Sequence, residues 1–463
     1  MADGTASPGF DRGSGVATGS GRLDRRRFLQ AAGLAGAAAG VASVTGGCAS
    51  SGAKLAGTPI RIGVVSSQTG SLAGFGESDV VVLANLRDTF RNGLQVGGKA
   101  YPVEILVRDN GSQPERAGQV ATELISSKID LLLTAGAPEV VNPVSDAAEK
   151  TGQPALSTSA PWEPWFFGRQ QDPSKPQSFN WTYHFFWGLE DIVRVFSNIW
   201  QQVPTDNKVV ASLFAQNADG DAWADKQTGL PGLLGVRGYT FVQDPRPADG
   251  ANSYVGLLQK FERANAQILT GNPQPPDFAT FWQQASVNQF RPRIATVGKA
   301  LLFPAFIEVL KPSPTGLATE VWWHPTWPFK SSLTGQTNAQ FAAQYISQTH
   351  RQWTQPIGPF HALFEVATSV LQRAGLGDPQ AMVEAIQATS IDTIVGRLSW
   401  PDSKNNKDLA PPARKNVTKS PVVGGQWIAT PSGQFKFDLT LVANPGHPEI
   451  PVTRRVQPLS PLQ

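Results

Sequence analysis

The strongest constraint on the fold is a regular alternation of short apolar segments with longer amphipathic ones. Residues 60–65 (IRIGVV) are a β-branched apolar run typical of a buried strand, and residues 114–127 repeat apolar side chains at the spacing of one helix face. The alternation restarts after an aromatic segment at 162–200 and continues over 209–296. Strands separated by helices predict βαβ units, so we predict an α/β fold with two consecutive lobes.

The predicted elements can be stated segment by segment. The pattern predicts strands at 60–65, 101–107, 130–133, 154–157, 209–214, 239–242, 267–270 and 293–296. It predicts helices at 77–91, 114–127, 140–151, 221–234, 253–265 and 277–288. Open parallel sheets bind ligands at the carboxyl ends of their strands, so the loops after these strands are the candidate site.

Composition and motifs exclude several classes of function. The net charge of +3 is spread over 39 basic and 36 acidic residues, which disfavours a nucleic-acid binder. One cysteine excludes an internal disulfide, and the five histidines never approach each other at the spacing of metal ligands. No dinucleotide motif, complete phosphate-binding loop or nucleophile elbow occurs. We therefore predict no cofactor, no metal site and no enzyme activity.

The first 47 residues are typical of an export signal. Residues 24–29 (DRRRFL) precede an apolar run at 31–44, which has about two-thirds of the length that crosses a bilayer. A basic segment before a short apolar run predicts a signal peptide, and the paired arginines resemble a twin-arginine signal. We therefore predict export of the chain.

The only cysteine, Cys48, directly follows this segment. Its surroundings resemble the processing box of a lipoprotein, in which the cysteine becomes the lipidated first residue, although Thr45 stands where an aliphatic residue is usual. The resemblance implies a signal over 1–47, a lipid anchor at Cys48 and a flexible tether over 48–57. The alternative is an ordinary cleaved signal with an incidental cysteine.

Tryptophan is concentrated in two places. Five of the 13 tryptophans fall within residues 162–200, and three more lie at 322–327. They can pack in the core and between lobes, or they can form the wall of a cleft that stacks against a ligand. Both interpretations stay open, and each can hold for different tryptophans.

Four segments recur in the order and spacing of a known family. Residues 69–76 (TGSLAGFG) follow the first strand, residues 107–110 (VRDN) end the second, and residues 142–146 (NPVSD) lie in the third helix. Residues 390–400 (SIDTIVGRLSW) come near the end of the matching region, 58–402. Together they resemble the leucine/isoleucine/valine-type (type I) periplasmic substrate-binding proteins of ABC importers.

The resemblance implies two Rossmann-like lobes joined by three crossings, near residues 187, 327 and 397. Lobe 1 is then expected over 58–187 and 328–396. Lobe 2 is expected over 188–327 and 397–463, the latter including a C-terminal extension. Such lobes close on a ligand as a hinge.

The resemblance also implies where a ligand is held. Matching positions on lobe 1 are Gln68, Phe75, Ala137, Pro138, Ser159, Ala160 and Trp162, and those on lobe 2 are Asp219, Asn272 and Lys299. In amino-acid-binding members, backbone N–H groups and a hydroxyl hold the ligand carboxylate, but here Pro138 and Pro161 stand at those positions and cannot donate. Asp219 matches an aromatic residue, and the acid that pairs with a ligand amine has no counterpart. We therefore expect a cleft that does not take a plain branched-chain amino acid.

The expected protein is an exported, lipid-anchored, monomeric solute-binding component of an ABC importer. Its ligand is expected to be amino-acid-like, an amide, or an aromatic or aliphatic carboxylate, and its partners are that ligand, the permease subunits and the membrane. The alternative is a ligand-sensing receptor of the same fold that signals to a membrane partner.

Overall fold

The structure, a computed structural model, describes residues 55–459. The predicted signal, Cys48 and most of the tether lie outside the described residues, so these stay predictions. The strands are β1 (Ile60–Ser66), β2 (Leu94–Val96), β3 (Lys99–Tyr101), β4 (Val103–Asp109), β5 (Leu131–Ala135), β6 (Ala155–Thr158), β7 (Thr182–Phe185), β8 (Val209–Leu213), β9 (Thr240–Val242), β10 (Ile268–Gly271), β11 (Ile294–Val297), β12 (Ala318–Val321), β13 (Ser390–Thr393), β14 (Gly396–Ser399), β15 (Val417–Thr418), β16 (Val423–Ala429) and β17 (Phe437–Ala443).

Helices separate most of these strands. They are α1 (Asp79–Thr89), α2 (Pro114–Ser126), α3 (Pro138–Thr151), α4 (Trp162–Phe167), α5 (Leu189–Gln201), α6 (Ala218–Ala224), α7 (Leu230–Gly235), α8 (Val255–Arg263), α9 (Pro275–Val287), α10 (Pro304–Val309), α11 (Asn338–Thr349), α12 (Ile357–Ala374), α13 (Pro379–Gln387) and α14 (Trp400–Ser403). Short 3-10 segments occur at Ala73–Phe75, Ala300–Leu302 and Pro411–Lys415.

Two sheets organise the chain. The first has the order β15-β7-β6-β5-β1-β4 and is parallel throughout; with its helices it forms lobe 1. The central strand β5 (LLLTA) is buried at every position, as expected for a strand covered on both faces. The predicted α/β class with two lobes is confirmed.

The second sheet has the order β17-β16-β12-β11-β10-β8-β9 and forms lobe 2. Its strands β8 to β12 are parallel, whereas β16 and β17 add an antiparallel edge from the C-terminal part of the chain. The buried Trp427 on β16 donates its indole N–H to the carbonyl of Leu301 at 2.8 Å. The C-terminal extension is therefore part of the lobe 2 core.

The third crossing between the lobes differs from the expectation. We expected lobe 2 to resume at residue 397, but β15 pairs with β7 in the first sheet, so the chain returns to the second sheet only after Thr418. The reason is the buried Asn416, whose amide donates to the carbonyls of Phe179 and Thr182 and accepts from the N–H of Phe179. These three bonds hold the segment before β15 in lobe 1.

One predicted helix is also divided. The expected helix over 221–234 is two short helices, α6 and α7. Between them Asp225 accepts hydrogen bonds from the backbone N–H groups of Gln227 and Thr228, at 2.8 and 2.7 Å. A side chain that binds nearby backbone competes with helix formation, so Asp225 ends α6.

Candidate functional site

The carboxyl ends of the parallel strands in the two sheets face each other across a narrow cleft. A cavity of about 20 Å³ remains there, which is room for about one water molecule. The residues that line it are Phe75, Ala137, Pro138, Ser159, Pro161, Phe186, Trp187, Asp219, Trp223, Asn272, Lys299, Leu302, Glu320 and Trp322. They come from both lobes and from two of the crossings, so the cavity is an interface between the lobes.

Seven of the ten predicted ligand-site residues line this cavity. They are Phe75, Ala137, Pro138, Ser159, Asp219, Asn272 and Lys299. Their role in binding a ligand stays a prediction, but the strand-end loops do bring them together.

Gln68, Ala160 and Trp162 do not line the cavity. The backbone N–H of Gln68 donates to Asp109, and the carbonyl of Ala160 lies 2.8 Å from His184 Nε2. The indole of Trp162 donates to Glu190 beside a crossing. Each of the three therefore has a structural contact outside the cleft.

A buried lysine links the two sides of the cleft. Lys299 Nζ lies 2.8 Å from Glu139 Oε1 on lobe 1 and 3.1 Å from Asp219 Oδ2 on lobe 2. Burial alone would lower the pKa of Lys299, but the two carboxylates outweigh burial and raise it. Lys299 therefore forms an ion pair that links the two lobes.

The acids of the cleft outnumber this one cation. Burial raises the pKa of Asp219, and Lys299 offsets this only in part. Burial also raises the pKa of Glu320 to about 7; its carboxylate accepts from Thr319 Oγ1 at 3.0 Å and from the backbone N–H of Lys299 at 3.3 Å. The position that matches the family's amine-pairing acid has no acid, as stated above, but two acids of lobe 2 line the cavity, the predicted Asp219 and, in addition, Glu320.

Glu139 and Glu320 were missed by the sequence reasoning. Glu139 directly follows Pro138 in the first turn of α3. Glu320 is the next-to-last residue of β12, shortly before a crossing. The available signals were that Glu139 adjoins Pro138, a position expected to hold a ligand carboxylate, and that Glu320 lies near the end of a strand. Neither residue type is unusual at those places, so the signals were weak.

The backbone of the cleft holds two unusual conformations. Ser159, directly after β6, has φ +71°, and Lys299, shortly after β11, has φ +54°. Residues with side chains rarely adopt this left-handed region, and they persist there only where the surroundings hold them. The two lobes therefore each present a constrained side chain to the same cavity.

Several buried polar atoms at the cleft have no partner within the protein. On the acids these are Glu139 Oε2 and Asp219 Oδ1. On neutral side chains they are Ser159 Oγ, both amide atoms of Asn272, and the indole nitrogens of Trp187, Trp223 and Trp322. Buried polar groups are normally hydrogen-bonded, so a group of orphans around one cavity indicates a binding site for a polar molecule.

Aromatic residues close the cleft on both sides. The rings of Phe75 and Phe303 meet edge to face with centroids 5.1 Å apart, and a Cβ at Gly74 would lie 2.8 Å from the Phe303 ring. Only glycine at position 74 permits this approach of the two lobes. Phe75 is 5% exposed, so it is covered when the lobes are together.

The tryptophans divide between the two interpretations. Trp187, Trp223 and Trp322 line the cavity. Trp165 instead stacks on His184 with ring centroids 4.7 Å apart, and Trp200 donates to Thr296 Oγ1 in the core of lobe 2. Cleft wall and core packing are thus both present.

One group of carboxylates has the spacing of metal ligands within residues 55–459. It consists of Glu190, Asp191 and Asp408 near the crossings. Lys419 Nζ lies among them, 2.6 Å from Asp191 Oδ2. The ammonium group already supplies the positive charge that an ion would bring.

Comparison with known proteins agrees with this architecture. The sequence model of the family described as periplasmic binding protein matches residues 59–410, well over half of the chain. The chain belongs to this family. No sequence among the curated proteins matches it significantly.

Solved structures share the fold at low identity. A leucine-binding protein from Thermotoga maritima MSB8 has a TM-score of 0.64 and 16% identity, with 83% of this chain and 99% of that chain covered. A solute-binding protein from Rhodopseudomonas palustris BisB5, in complex with 3,4-dihydroxybenzoic acid, has a TM-score of 0.62 and 14% identity over 83% and 96% of the two chains. One from R. palustris in complex with benzoate has a TM-score of 0.61 and 15% identity over 84% and 98%. The protein therefore has the type I periplasmic binding-protein fold.

Family membership bears on class and location. The family consists of substrate-binding proteins rather than enzymes, and it implies a place outside the cytoplasm. Among residues 55–459, no helix has both the length and the apolarity needed to cross a membrane.

Proposed function

We propose that this periplasmic binding protein is the solute-binding component of an ABC importer, and that it works as a monomer that delivers a small ligand to permease subunits. The observation that carries the proposal is the group of unpartnered buried polar atoms that both lobes contribute around one cavity between them. Such atoms favour a molecule bound between the lobes, and closure around it would expose a new combined surface of the two lobes to a permease.

The ligand is proposed to be small, with an apolar or aromatic body, and not a plain branched-chain amino acid. Pro138 and Pro161 line the cavity and have no N–H to offer a carboxylate. Lys299 is already paired with two carboxylates, so it is a poor partner for a third. Of the amino-acid-like, amide and carboxylate classes expected from the sequence, the carboxylates are therefore least favoured.

Calorimetric titration tests this proposal directly. Losing two charge-assisted hydrogen bonds costs about 3–6 kcal/mol, so leucine is expected to bind in the millimolar range or weaker. A thermal-shift screen over amino acids, amides, amines and aromatic acids should find a compound that raises the melting temperature, and X-ray scattering should then show a more compact protein. Micromolar binding of leucine would contradict the ligand assignment, and no response to any compound would contradict the function.

We also propose export through a twin-arginine signal and anchoring through a lipid on Cys48. The support is the basic and apolar order of residues 24–44 and the place of Cys48 directly after it. Replacing Arg25 and Arg26 by lysine should block export. Cys48→Ala should release the exported protein from membranes, whereas Cys48→Ala protein that still fractionates with membranes at full length would exclude the lipid anchor.

A further inference from the structure

We propose that the cleft selects an organic ammonium, a ligand with a positively charged nitrogen on a small apolar or aromatic body and without a carboxylate. The inference rests on the proposed function, because it names the class of solute that the same site takes. The ligand nitrogen is expected to contact Asp219 and Glu139, the carboxylates that hold the ammonium group of Lys299. Lys299 is then a tethered substitute for the ligand.

The charge of the cleft is the first support. Lys299 is the only cation among the cavity-lining residues. Its ammonium group lies beside the carboxylates of Glu139 and Asp219, and its backbone N–H donates to a third carboxylate, that of the buried Glu320. Glu139 Oε2 and Asp219 Oδ1 are buried without a partner. A buried charge is stable only when paired, so a ligand that takes the place of the Lys299 ammonium beside these carboxylates must itself bring a positive charge, whereas an anion would add a further unpaired negative charge.

The aromatic wall is the second support. Phe75, Trp187, Trp223 and Trp322 surround the same cavity, and all four are at most 5% exposed. Ammonium groups are attracted to the faces of aromatic rings, most strongly to tryptophan, and the attraction grows when water is excluded. Aromatic rings beside carboxylates are the combination that retains a cation with an apolar body.

The remaining orphan groups fit an uncharged polar atom on the same ligand. The Asn272 amide and the Ser159 hydroxyl are both buried, and each can both donate and accept hydrogen bonds without adding charge. No second cation is present at the cavity to balance a carboxylate. A hydroxyl or amide oxygen therefore suits these groups better than an ionised acid.

The size of the cavity implies displacement of Lys299. About 20 Å³ does not hold an ammonium with its apolar body, so the lobes must separate and the ligand nitrogen must take the place of Lys299 Nζ. The Lys299–Glu139 pair joins the lobes, so binding exchanges one ammonium for another between the same carboxylates. Closure is then possible with either the side chain or the ligand in place.

The test compares probes that share a body and differ in headgroup. Full-length protein without its signal is titrated calorimetrically with 2-phenylethylamine, 3-phenylpropanoic acid and 3-phenylpropan-1-ol at neutral pH. The ammonium is expected to bind at least about tenfold tighter than the carboxylate, the scale of one charge-assisted hydrogen bond. Equal or tighter binding of the carboxylate, or no binding of the amine, would overturn the inference.

Three variants locate the effect. Asp219→Asn should reduce the preference for the ammonium by about tenfold, while Asp408→Asn, an acid outside the cleft, should leave it unchanged. Lys299→Met removes the competing ammonium and should tighten 2-phenylethylamine, so weaker binding in this variant counts against displacement. If the amine fails but another compound of the broader screen binds and closes the lobes, the inference falls and the proposed function stands.

Discussion

Two lysines, the buried Lys299 at the cleft and the largely buried Lys419 on the third crossing, lie in similar charge environments. Lys299 joins Glu139 and Asp219 across the cleft. Lys419, on the third crossing, joins the hinge cluster, which consists of Lys419, Glu190, Asp191 and Asp408. Both lysines have side chains that are at most 14% exposed. The two groups use the same residue types but differ in how fully their acids are paired and in their access to solvent.

The difference lies in how completely the acids are paired. In the hinge cluster, Asp191 also accepts from Arg194 and from the N–H of Gly188, and none of the three acids has a buried oxygen without a partner. Although burial opposes it, Lys419 holds the pKa of Asp191 below its usual value, whereas the pKa of Asp219 is raised. Every buried carboxylate oxygen of the hinge cluster thus has a partner, whereas at the cleft one oxygen of Glu139 and one of Asp219 have none.

Solvent access differs as well. The hinge cluster borders a cavity of about 750 Å³, and its Asp408 side chain is 42% exposed, whereas the cavity at the cleft cluster (Lys299, Glu139 and Asp219) is about 20 Å³ and the Asp219 side chain is 5% exposed. Charges near water cost less to separate than buried ones, yet their pairing is also worth less. A ligand that supplies a missing partner therefore gains more free energy in the cleft than at the hinge.

The largest expected effect is on stability, from loss of the hinge lysine. Lys419→Met leaves the buried Asp191 with one fewer partner and should lower the free energy of unfolding by about 3–5 kcal/mol, measured by urea denaturation. The same change at Lys299 should cost less, because Asp219, with its raised pKa, can take up a proton. Equal losses in the two variants would remove the distinction between the clusters.

The next prediction concerns pH and the uncompensated acid of the cleft. The pKa of Glu320 rises from an ordinary 4.5 to about 7 on folding, so the folded protein binds an extra proton between these values and loses stability as pH rises through them. Glu320→Gln should avoid this loss. Its stability relative to the unchanged protein should increase by about 2–3 kcal/mol between pH 5 and pH 8.

Chemical denaturation at the two pH values measures this difference. Other buried groups with shifted pKa values, including Asp79 and His361, are present in both proteins and cancel. Glu104→Gln, on the half-exposed surface of β4, is the matched control. If the difference in stability between Glu320→Gln and the unchanged protein does not vary with pH, the pKa of Glu320 is not raised in the folded protein.

A third prediction separates the two cavities by ligand affinity. Phe75→Ala removes an aromatic wall of the cleft and should weaken 2-phenylethylamine by about 1–3 kcal/mol, the scale of burying one large apolar side chain. Phe329→Ala, in the cavity beside the hinge cluster, should leave affinity unchanged. Calorimetric titration compares the two. The opposite pattern would move the binding site to the hinge.

The smallest effect is expected within the hinge cluster itself. Asp408 has a side chain that is 42% exposed, so Asp408→Asn should cost no more than about 1 kcal/mol of stability. Asp191→Asn, at 8% exposed, should cost more than Asp408→Asn in the same urea experiment. A larger loss at position 408 would mean that burial does not decide the strength of these pairs.

Much of the fold is predictable because its causes are local. The helix face of residues 114–127 and the apolar runs of β1 and β5 set their own secondary structure, and α2 was found at Pro114–Ser126. The parallel sheet predicts ligand loops at strand ends, and the family resemblance named ten residues there, seven of which line one cavity. The two-residue strand β15 has no such local pattern, so the third crossing was misplaced.

The sequence by itself determined the α/β class, the two lobes and the approximate position of the cleft, since periodicity and strand order act over short stretches of chain. Tertiary structure alone decided the charge of that cleft. Lys299 and Glu139 are 160 residues apart, and Phe179 and Asn416, which fix the third crossing, are 237 apart. Pairings over such distances depend on how the lobes meet. No residue type or local spacing announces them, because a buried acid and an exposed one look alike until their neighbours are known.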